Sequence, residues 1–448
     1  MTSTAAILET DTVSSDGSSE PLGAGVGAEM YRLIERLYPI CRSLTGDGQR
    51  RTLAILREVI DLTIHEVPSD TQVFDWTVPR EWNIRGGYIK DASGRKIVDF
   101  ADSNLHVMGY STPVYRRMSL SALKPHLFTL PDYPDWIPYR TSYYREDWAF
   151  CLSHRQLLAM KDGEYEVHID ASLTSGSMTY GEFAIPGECA EEILISCHIC
   201  HPSLANDNLS GIAVAAMLAK YLSSTPHRYS YRFLFTPGQI GSIAWLCRNE
   251  NRLGLIRGGL VLACLGDAGG FTYKKSRRGN ALIDRAVPQA LRDAGRDCKT
   301  VEFSPFGYDE RQFCSPGFNL PVGCLMRTPH GCFPEYHTSA DDLNFVRPEN
   351  LAESLLRCRD IMQLMDSDRT LINLNPKCEP QLGKRGLYGS IGGAADGRSR
   401  ELALLWVLNL ADGEHTLLDI AERSGLPFPV IDSSARQLER HGLLAEQA

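Results

Sequence analysis

The segment SCHICHPSLANDNLSG, residues 196–211, places two histidines, an aspartate and two asparagines directly after the apolar run 193–195. An apolar, helix-like stretch, 212–222, follows at once. The pattern is a strand, a polar loop and a helix, and open α/β sheets bind ligands just beyond the carboxyl ends of their strands. Imidazole and carboxylate together suit zinc or a similar divalent ion. His198, His201 and Asp207 therefore read as the opening of a metal-dependent hydrolytic site. His201 could be a further ligand, a substrate contact or a loop brace. Asn206 and Asn208 are poor ligands but good loop formers, and Gly211 lets the helix start pack closely against the sheet. Cys200, between the histidines, could be a soft ligand or a nucleophile, but reads first as a residue packed beneath the loop.

A second polar cluster, PHGCFPEYHTSADDLNF, follows the apolar strand PVGCLM. It holds Glu335, Tyr336, His337, Asp341 and Asp342. His337 could complete a metal shell begun by His198 and Asp207, although only folding can join them. Between the clusters, Asp267 stands beyond the strand-like run GLVLACLG and could enter the same crevice. The basic run Lys274, Lys275, Arg277 and Arg278 is either a solvated face or a grip on a substrate carboxylate or phosphate. The loop PFGYDERQF adds Tyr308, Asp309, Glu310 and Arg311. Glu310 there could serve as a general base toward a metal-activated water. G-x-S-x-G, G-x-G-x-x-G, Walker and H-E-x-x-H patterns are absent, which lowers the serine hydrolase, dinucleotide oxidoreductase and P-loop classes.

Elements that would position these groups are legible in outline. Apolar residues recur at helical spacing over 30–60, with a break at 43–48. Residues 62–75 read as a strand interrupted by HEVPSD. Over 75–164 aromatics crowd among Pro, Gly and short strands, as in a compact β-rich module without helices. From Tyr165 onward, EYEVHIDASL and GSMTYGEFAIPG look like a strand pair, and strands then alternate with helices of ordinary length. This predicts an α/β fold with a mostly parallel central sheet covered on both faces. KRGLYGSIGG, 384–393, reads as a Gly-rich linker. Three short helices and an apolar end after it suggest a winged helix-turn-helix.

The chain has 448 residues and a formal net charge of −9, so it is long enough for several domains and disfavours nucleic acid as a default partner. The balanced charges of the recognition-helix run 431–441, with Arg436, Arg440 and His441 against Asp432 and Glu439, point the same way. Its 13 cysteines lie mostly in apolar segments, and no pair of Cys-x-x-Cys motifs stands at zinc-finger spacing. A reducing cytoplasm is the expected setting. Residues 1–27, rich in Ser, Thr, Gly and Ala, read as a disordered tail without signal-peptide character. No stretch approaches the roughly 18 apolar residues that a membrane span needs.

These stretches also carry a family resemblance, together with FDWTVPREWNI, ADSNLHVMGYSTPV, PYRTSYYREDWAFCLS, YKKSRRG and DERQFCSPGFNLPVG. The chain resembles the M28-type zinc aminopeptidases, in the DUF4910- or DUF2172-like branch with an inserted β-domain and a C-terminal winged helix. The resemblance spans about 30–445. It implies Zn2+ held by His198, Asp207 and His337, with Asp267 as the nearest match to a further acidic ligand. The family's catalytic Glu-Glu pair falls on TPGQIGS, where Gln239 and Ile240 stand instead. Glu310 or Glu335 is then the expected base.

The resulting layout is a tail over 1–27, an aminopeptidase-like α/β domain over 28–74 and 165–380, an inserted β-rich domain over 75–164, and a winged helix over 385–448. The expected activity is hydrolysis of an amide at the amino end of a small peptide or aminoacyl conjugate. Tyr143, Tyr144, Arg277, Arg311 and Tyr336 are the expected substrate contacts. Leu402, Leu404, Leu405, Val407 and Leu408 look like an apolar surplus, which suggests a homo-oligomer. The alternatives are a metal-dependent amide or ester hydrolase of a biosynthetic intermediate, and a noncatalytic ligand-sensing or DNA-binding regulator on a degenerate peptidase core.

Overall fold

The computed structural model describes residues 25–387 and 395–446. The tail expected over 1–27 lies outside the described residues as far as 24, and the Gly-rich linker lies outside them from 388 onward.

An eight-stranded sheet forms the centre. Its order is Thr63–Pro68, Ser177–Ile185, Ser230–Thr236, Glu192–His198, Ile256–Leu262, Val322–Met326, Phe271–Lys274, Cys298–Val301. The four strands from Ser230–Thr236 to Val322–Met326 run parallel. The strands outside them bring in antiparallel pairings, so the sheet is mixed. Thr63–Pro68 is one continuous strand through the HEVP run that was expected to interrupt it.

All seven residues of Glu192–His198 are buried. This follows from coverage on both faces, which makes a central strand apolar throughout instead of alternating. Ile193, Ile195 and Cys197 face one core with the helices Val26–Leu37, Gly211–Leu222 and Pro348–Ser367. Leu194 faces the other core with Trp245 of the helix Ile240–Arg248 and the apolar face of the inserted sheet.

The insertion is a four-stranded antiparallel sheet in the order Lys96–Asp99, Glu81–Lys90, Glu164–Thr174, Val114–Ser119. The expected pairing of EYEVHIDASL with GSMTYGEFAIPG does not form. Glu164–Thr174 belongs to the insertion, where Tyr165, Val167, Ile169 and Ala171 are buried. The chain crosses to the main sheet at Ser175 and Gly176. Alternation marks a strand with one buried face but does not say which sheet owns it. A short helix, His154–Ala159, with a Ser153–Gln156 capping box, also stands in this supposedly helix-free region.

The C-terminal module starts earlier than its helices suggested. Thr370–Asn373, ahead of the linker, is the central strand between Asp412–Thr416 and Leu444–Glu446. The helices Ala395–Leu410, Leu417–Ser424 and Phe428–Arg440 complete it. It docks on the α/β domain. Arg285 pairs with Asp419 and Glu422 at 2.6 Å each, and the Phe428 amide donates to Asp293. Of the apolar positions read as surplus, Leu404, Val407 and Leu408 are buried, Leu405 is half-buried, and Leu402 is exposed. Most of that surplus is taken up inside the protein. Among the described residues, no helix is long and apolar enough to cross a membrane.

One buried ion pair ties two central strands. Arg232 Nε and Nη2 donate to the two oxygens of Glu192 at 2.7 Å each. Arg232 also meets Glu182, which accepts from Trp245 Nε1. Arg252 Nη2 also donates to Glu192 at 2.5 Å. Among the described residues, loss of Arg232 therefore leaves Glu182 without a cation and Glu192 with the more exposed Arg252 alone, and breaking a buried pair in this way costs about 3–5 kcal/mol. Arg232→Met is therefore expected to lose about that much stability in urea unfolding, and the double variant R232M/E192Q to lose less. A loss below about 1 kcal/mol for R232M, the exposed-pair range, would refute this role.

Candidate metal centre and its cavity

Strand Glu192–His198 ends on His198, and the loop after it folds back so that Asp207 meets the same imidazole. Two anchors hold that loop. The buried Asp341 carboxylate accepts the Asn206 and Asp207 amides at 2.6 and 2.9 Å. Burial pushes this carboxyl up to about 8, against the two N–H donors that favour its charged form. The Asn208 side chain donates to Leu262 O and accepts from the Cys264 amide. A Cβ at Gly211 would collide with that side chain and with Leu262 O, so only glycine fits there. The buried Arg42 guanidinium adds a brace, donating from Nη1 to Leu37 O and from Nε to His201 O.

Asp207 is fully buried. His198 Nε2 lies 3.0 Å from its Oδ1, His201 Nδ1 3.2 Å from its Oδ2, and His337 Nε2 3.0 Å from Oδ2. His198 Nε2 and His201 Nδ1 are 3.2 Å apart. Tyr308 Oη donates to Asp207 Oδ1 at 3.2 Å, and its ring stacks on His198. Burial opposes a charged Asp207. The His201 charge and the hydrogen bonds from His198, His201 and His337 together outweigh it and hold the carboxyl well below its usual range. Burial depresses the His337 imidazole, against its contact with Asp207.

The donor set fits a metal ion. One ligand atom each from His198, His201 and Asp207 lies within 4.8 Å of the others. Their closest separations, 3.0–3.2 Å, approach the ~3.4 Å between neighbouring ligands of a tetrahedral ion with ~2.1 Å bonds. His201, held in reserve on sequence grounds, stands in this cluster. His337 arrives from a distant loop and touches the same carboxylate.

The loop of His337 is held by the insertion. Residues 137–139 run beside 337–339: the Tyr139 amide donates to His337 O, and the Ser339 amide donates to Ile137 O, both at 2.8 Å. The Tyr139 ring lies edge-on to His201 and His337.

A cavity of about 400 Å3 opens beside the cluster. Tyr143, Tyr144, Arg311 and Tyr336, expected as substrate contacts, line it. Arg277 does not. Its guanidinium donates to Asn319 instead, and Lys274 and Lys275 are paired with Glu310 and Glu302. Asp267 accepts from Asn206 Nδ2, Thr328 Oγ1 and the Gly269 amide. It braces the loop from behind and is not in the cluster.

The two expected bases are placed differently from the expectation. Glu310 lies one layer behind Gly307, with Oε1 accepting from Lys274 Nζ at 2.8 Å. Glu335 is half-buried, and its carbonyl accepts from Thr338 in a turn. Neither is among the lining residues. Asp309 is. Its Oδ1 accepts from the Gln239 amide at 2.8 Å and from Ser242 Oγ at 3.1 Å, and its buried Oδ2 has no partner. Burial raises its carboxyl above the usual range. A carboxylate from a distant loop thus stands against Gln239, where the resemblance implied an acidic pair. The one sequence signal for it was its place beside Glu310 in a Tyr-Asp-Glu run. His330, with Nδ1 buried and unpartnered, also lines the cavity and was not foreseen.

The model of a domain of unknown function, DUF4910, matches residues 31–368, and a winged helix-turn-helix model matches 369–446. A Clostridium acetobutylicum protein named "Putative polysaccharide biosynthesis protein with aminopeptidase-like domain" is 52% identical over 418 residues, 93% of this chain and 96% of that protein. A crystal structure of a Clostridium acetobutylicum "putative peptidase" superposes with a TM-score of 0.90 at 50% identity, covering 94% of this chain and 96% of that one. A zinc aminopeptidase from Bacillus subtilis shares the fold, with a TM-score of 0.55 at 13% identity over 75% of this chain and 94% of that one.

If Asp341 holds Asp207 in place through the backbone, Asp341→Asn should weaken zinc binding by about 10–100-fold with the ligands intact. A chelator-competition titration reads this, with H198A as the reference for loss of a ligand. Unchanged affinity in D341N would remove Asp341 from the site's support.

Proposed function

This chain belongs to the DUF4910 family, and we propose that it is a zinc-dependent hydrolase cleaving an amide at the amino end of a small peptide or aminoacyl conjugate. The observation that carries the reading is the meeting of three imidazole nitrogens on the carboxylate of a fully buried aspartate, beside a cavity of small-molecule size. His198, His201, Asp207 and His337 would hold the ion. When bound, it supplies Lewis-acid polarisation of a carbonyl and lowers the pKa of a water.

The chain's own residues supply the rest. Asp309 presents its free Oδ2 and takes the proton, while Gln239 and Ser242 fix its other oxygen. Tyr308 keeps His198 stacked and Asp207 oriented. Trp76, Tyr143, Tyr144 and Phe306 wall the cavity, so short substrates enter and folded chains do not. The thirteen cysteines are all free, which supports a cytoplasmic setting.

A second reading, hydrolysis of an amide or ester in a biosynthetic intermediate, is favoured by one observation: among the described residues, Asp309 is the one carboxylate lining the cavity. A free substrate amine would compete with the water for it. The name of the Clostridium acetobutylicum relative is consistent with this reading. The regulator reading gains nothing from the C-terminal helix Phe428–Arg440. Its Asp432 and Glu439 pair with Arg369, and its Arg436 pairs with Asp432, so little free positive charge is left for phosphates.

Zinc-loaded protein assayed against aminoacyl amides, dipeptides, acyl amino acids and esters should show turnover. Asp309→Asn should lower kcat/KM by about 10²–10⁴-fold with metal content unchanged, whereas H198A should lose metal and activity together. A zinc-loaded protein inert across the panel would end the hydrolase reading.

A further inference from the structure

Arg311 lines the cavity with its charge uncompensated. It is half-buried, and its Nε is fully buried without a hydrogen-bond partner. Among the described residues it makes no ion pair. Each adjacent acid has one oxygen bonded elsewhere, Asp309 Oδ1 to Gln239 and Ser242 and Glu310 Oε1 to Lys274, and although Asp309 Oδ2 and Glu310 Oε2 are buried without partners, neither forms an ion pair with Arg311. Other shielded guanidiniums in the protein have partners at two or more positions: Arg42 donates to the Leu37 and His201 carbonyls, Arg232 pairs with Glu192, Arg327 with Glu353, and Arg369 with Asp432 and Glu439.

An unpaired guanidinium held in a partly desolvated wall is costly unless something outside the chain completes it. His330, in the same cavity, adds a second buried nitrogen without a partner, its Nδ1. Burial lowers the His330 imidazole, which favours its neutral form and a hydrogen bond without a second positive charge. The rest of the lining outside the histidine–aspartate cluster is largely aromatic or apolar, including Leu44, Trp76, Tyr143, Tyr144, Ile240 and Phe306.

We propose that Arg311 is the specificity-determining residue of this cavity and binds a carboxylate of the substrate. The proposal rests on the hydrolase reading and narrows its substrate class to small acids, such as free dipeptides or acyl amino acids. A guanidinium fork matches the two oxygens of a carboxylate. One cation in a largely apolar wall suits a single negative charge better than a phosphate dianion.

The test uses zinc-loaded full-length protein and three probes without a scissile bond: 3-phenylpropanoate, 3-phenylpropanamide and phenylphosphonate. Calorimetric titration should show the carboxylate binding at least about tenfold tighter than the amide. That ratio should fall toward one in Arg311→Met, with zinc content unchanged. R311K, which keeps the charge and loses the fork, should be intermediate, and it carries the test if R311M does not fold. An acid-to-amide ratio unaffected by either variant overturns the proposal. Phenylphosphonate binding tighter than the carboxylate, in an Arg311-dependent way, overturns the carboxylate assignment in favour of a phosphate. Arg311-dependent carboxylate binding without turnover of any substrate would sink the hydrolase reading and leave this subsite standing. Equal kcat/KM for Leu-Gly and Leu-Gly amide, in wild type and R311M alike, would do the reverse.

Discussion

A carboxylate removed entirely from water is the constraint around which this protein is arranged. Asp207 has no solvent to stabilise its charge, so the charge must be met by groups fixed in place. Three imidazoles and a phenol meet it, and they come from three separate parts of the sequence. The fold supplies them by ending a central strand on His198 and by bringing the loops of Tyr308 and His337 to the same edge of the sheet.

The supporting shell follows from the same constraint. A loop that turns back on its own strand cannot satisfy its amides internally, and buried amides must be satisfied somewhere. Asp341 does this for the amides of Asn206 and Asp207, and Asn208 and Asn206 tie the loop to the neighbouring strand end by accepting the Cys264 and Gly266 amides. Arg42 reaches from the chain after the first helix to the His201 carbonyl. Each of these groups is polar and buried, and each has a partner that fixes the loop's path. The one charged side chain at the cavity without such a partner among the described residues is Arg311. Its environment differs from that of the shell in this respect.

What could be read from the sequence was the local part. His198, His201 and Asp207 stand on one loop after an apolar run, and nine residues of separation suffice to fold one back on another. The α/β texture and the C-terminal module were also legible, because helical and strand periods differ. Asp309 was not singled out, because nothing in YDERQ distinguishes the acid that faces a cavity from the acid that pairs with a lysine behind it. Lys274 lies 36 residues from Glu310, and no periodicity links them. Asp267 stood where a ligand was wanted, yet Thr328 and Asn206 claim it. The strand Glu164–Thr174 was given to the wrong sheet because alternation is identical in either.

The pairing of residues 137–139 with 337–339 has an evolutionary consequence. The inserted sheet supplies part of the wall that positions His337, so it is not an appendage that could be trimmed away or exchanged between relatives as a unit. A graft that replaced the insertion would also have to bring a segment able to lie along the histidine's backbone. Sequence drift in these two stretches is thereby coupled, although they lie some two hundred residues apart. In this lineage, change in what the cavity admits is channelled toward its aromatic rim, where Trp76, Tyr144 and Phe306 are exposed and free of that obligation.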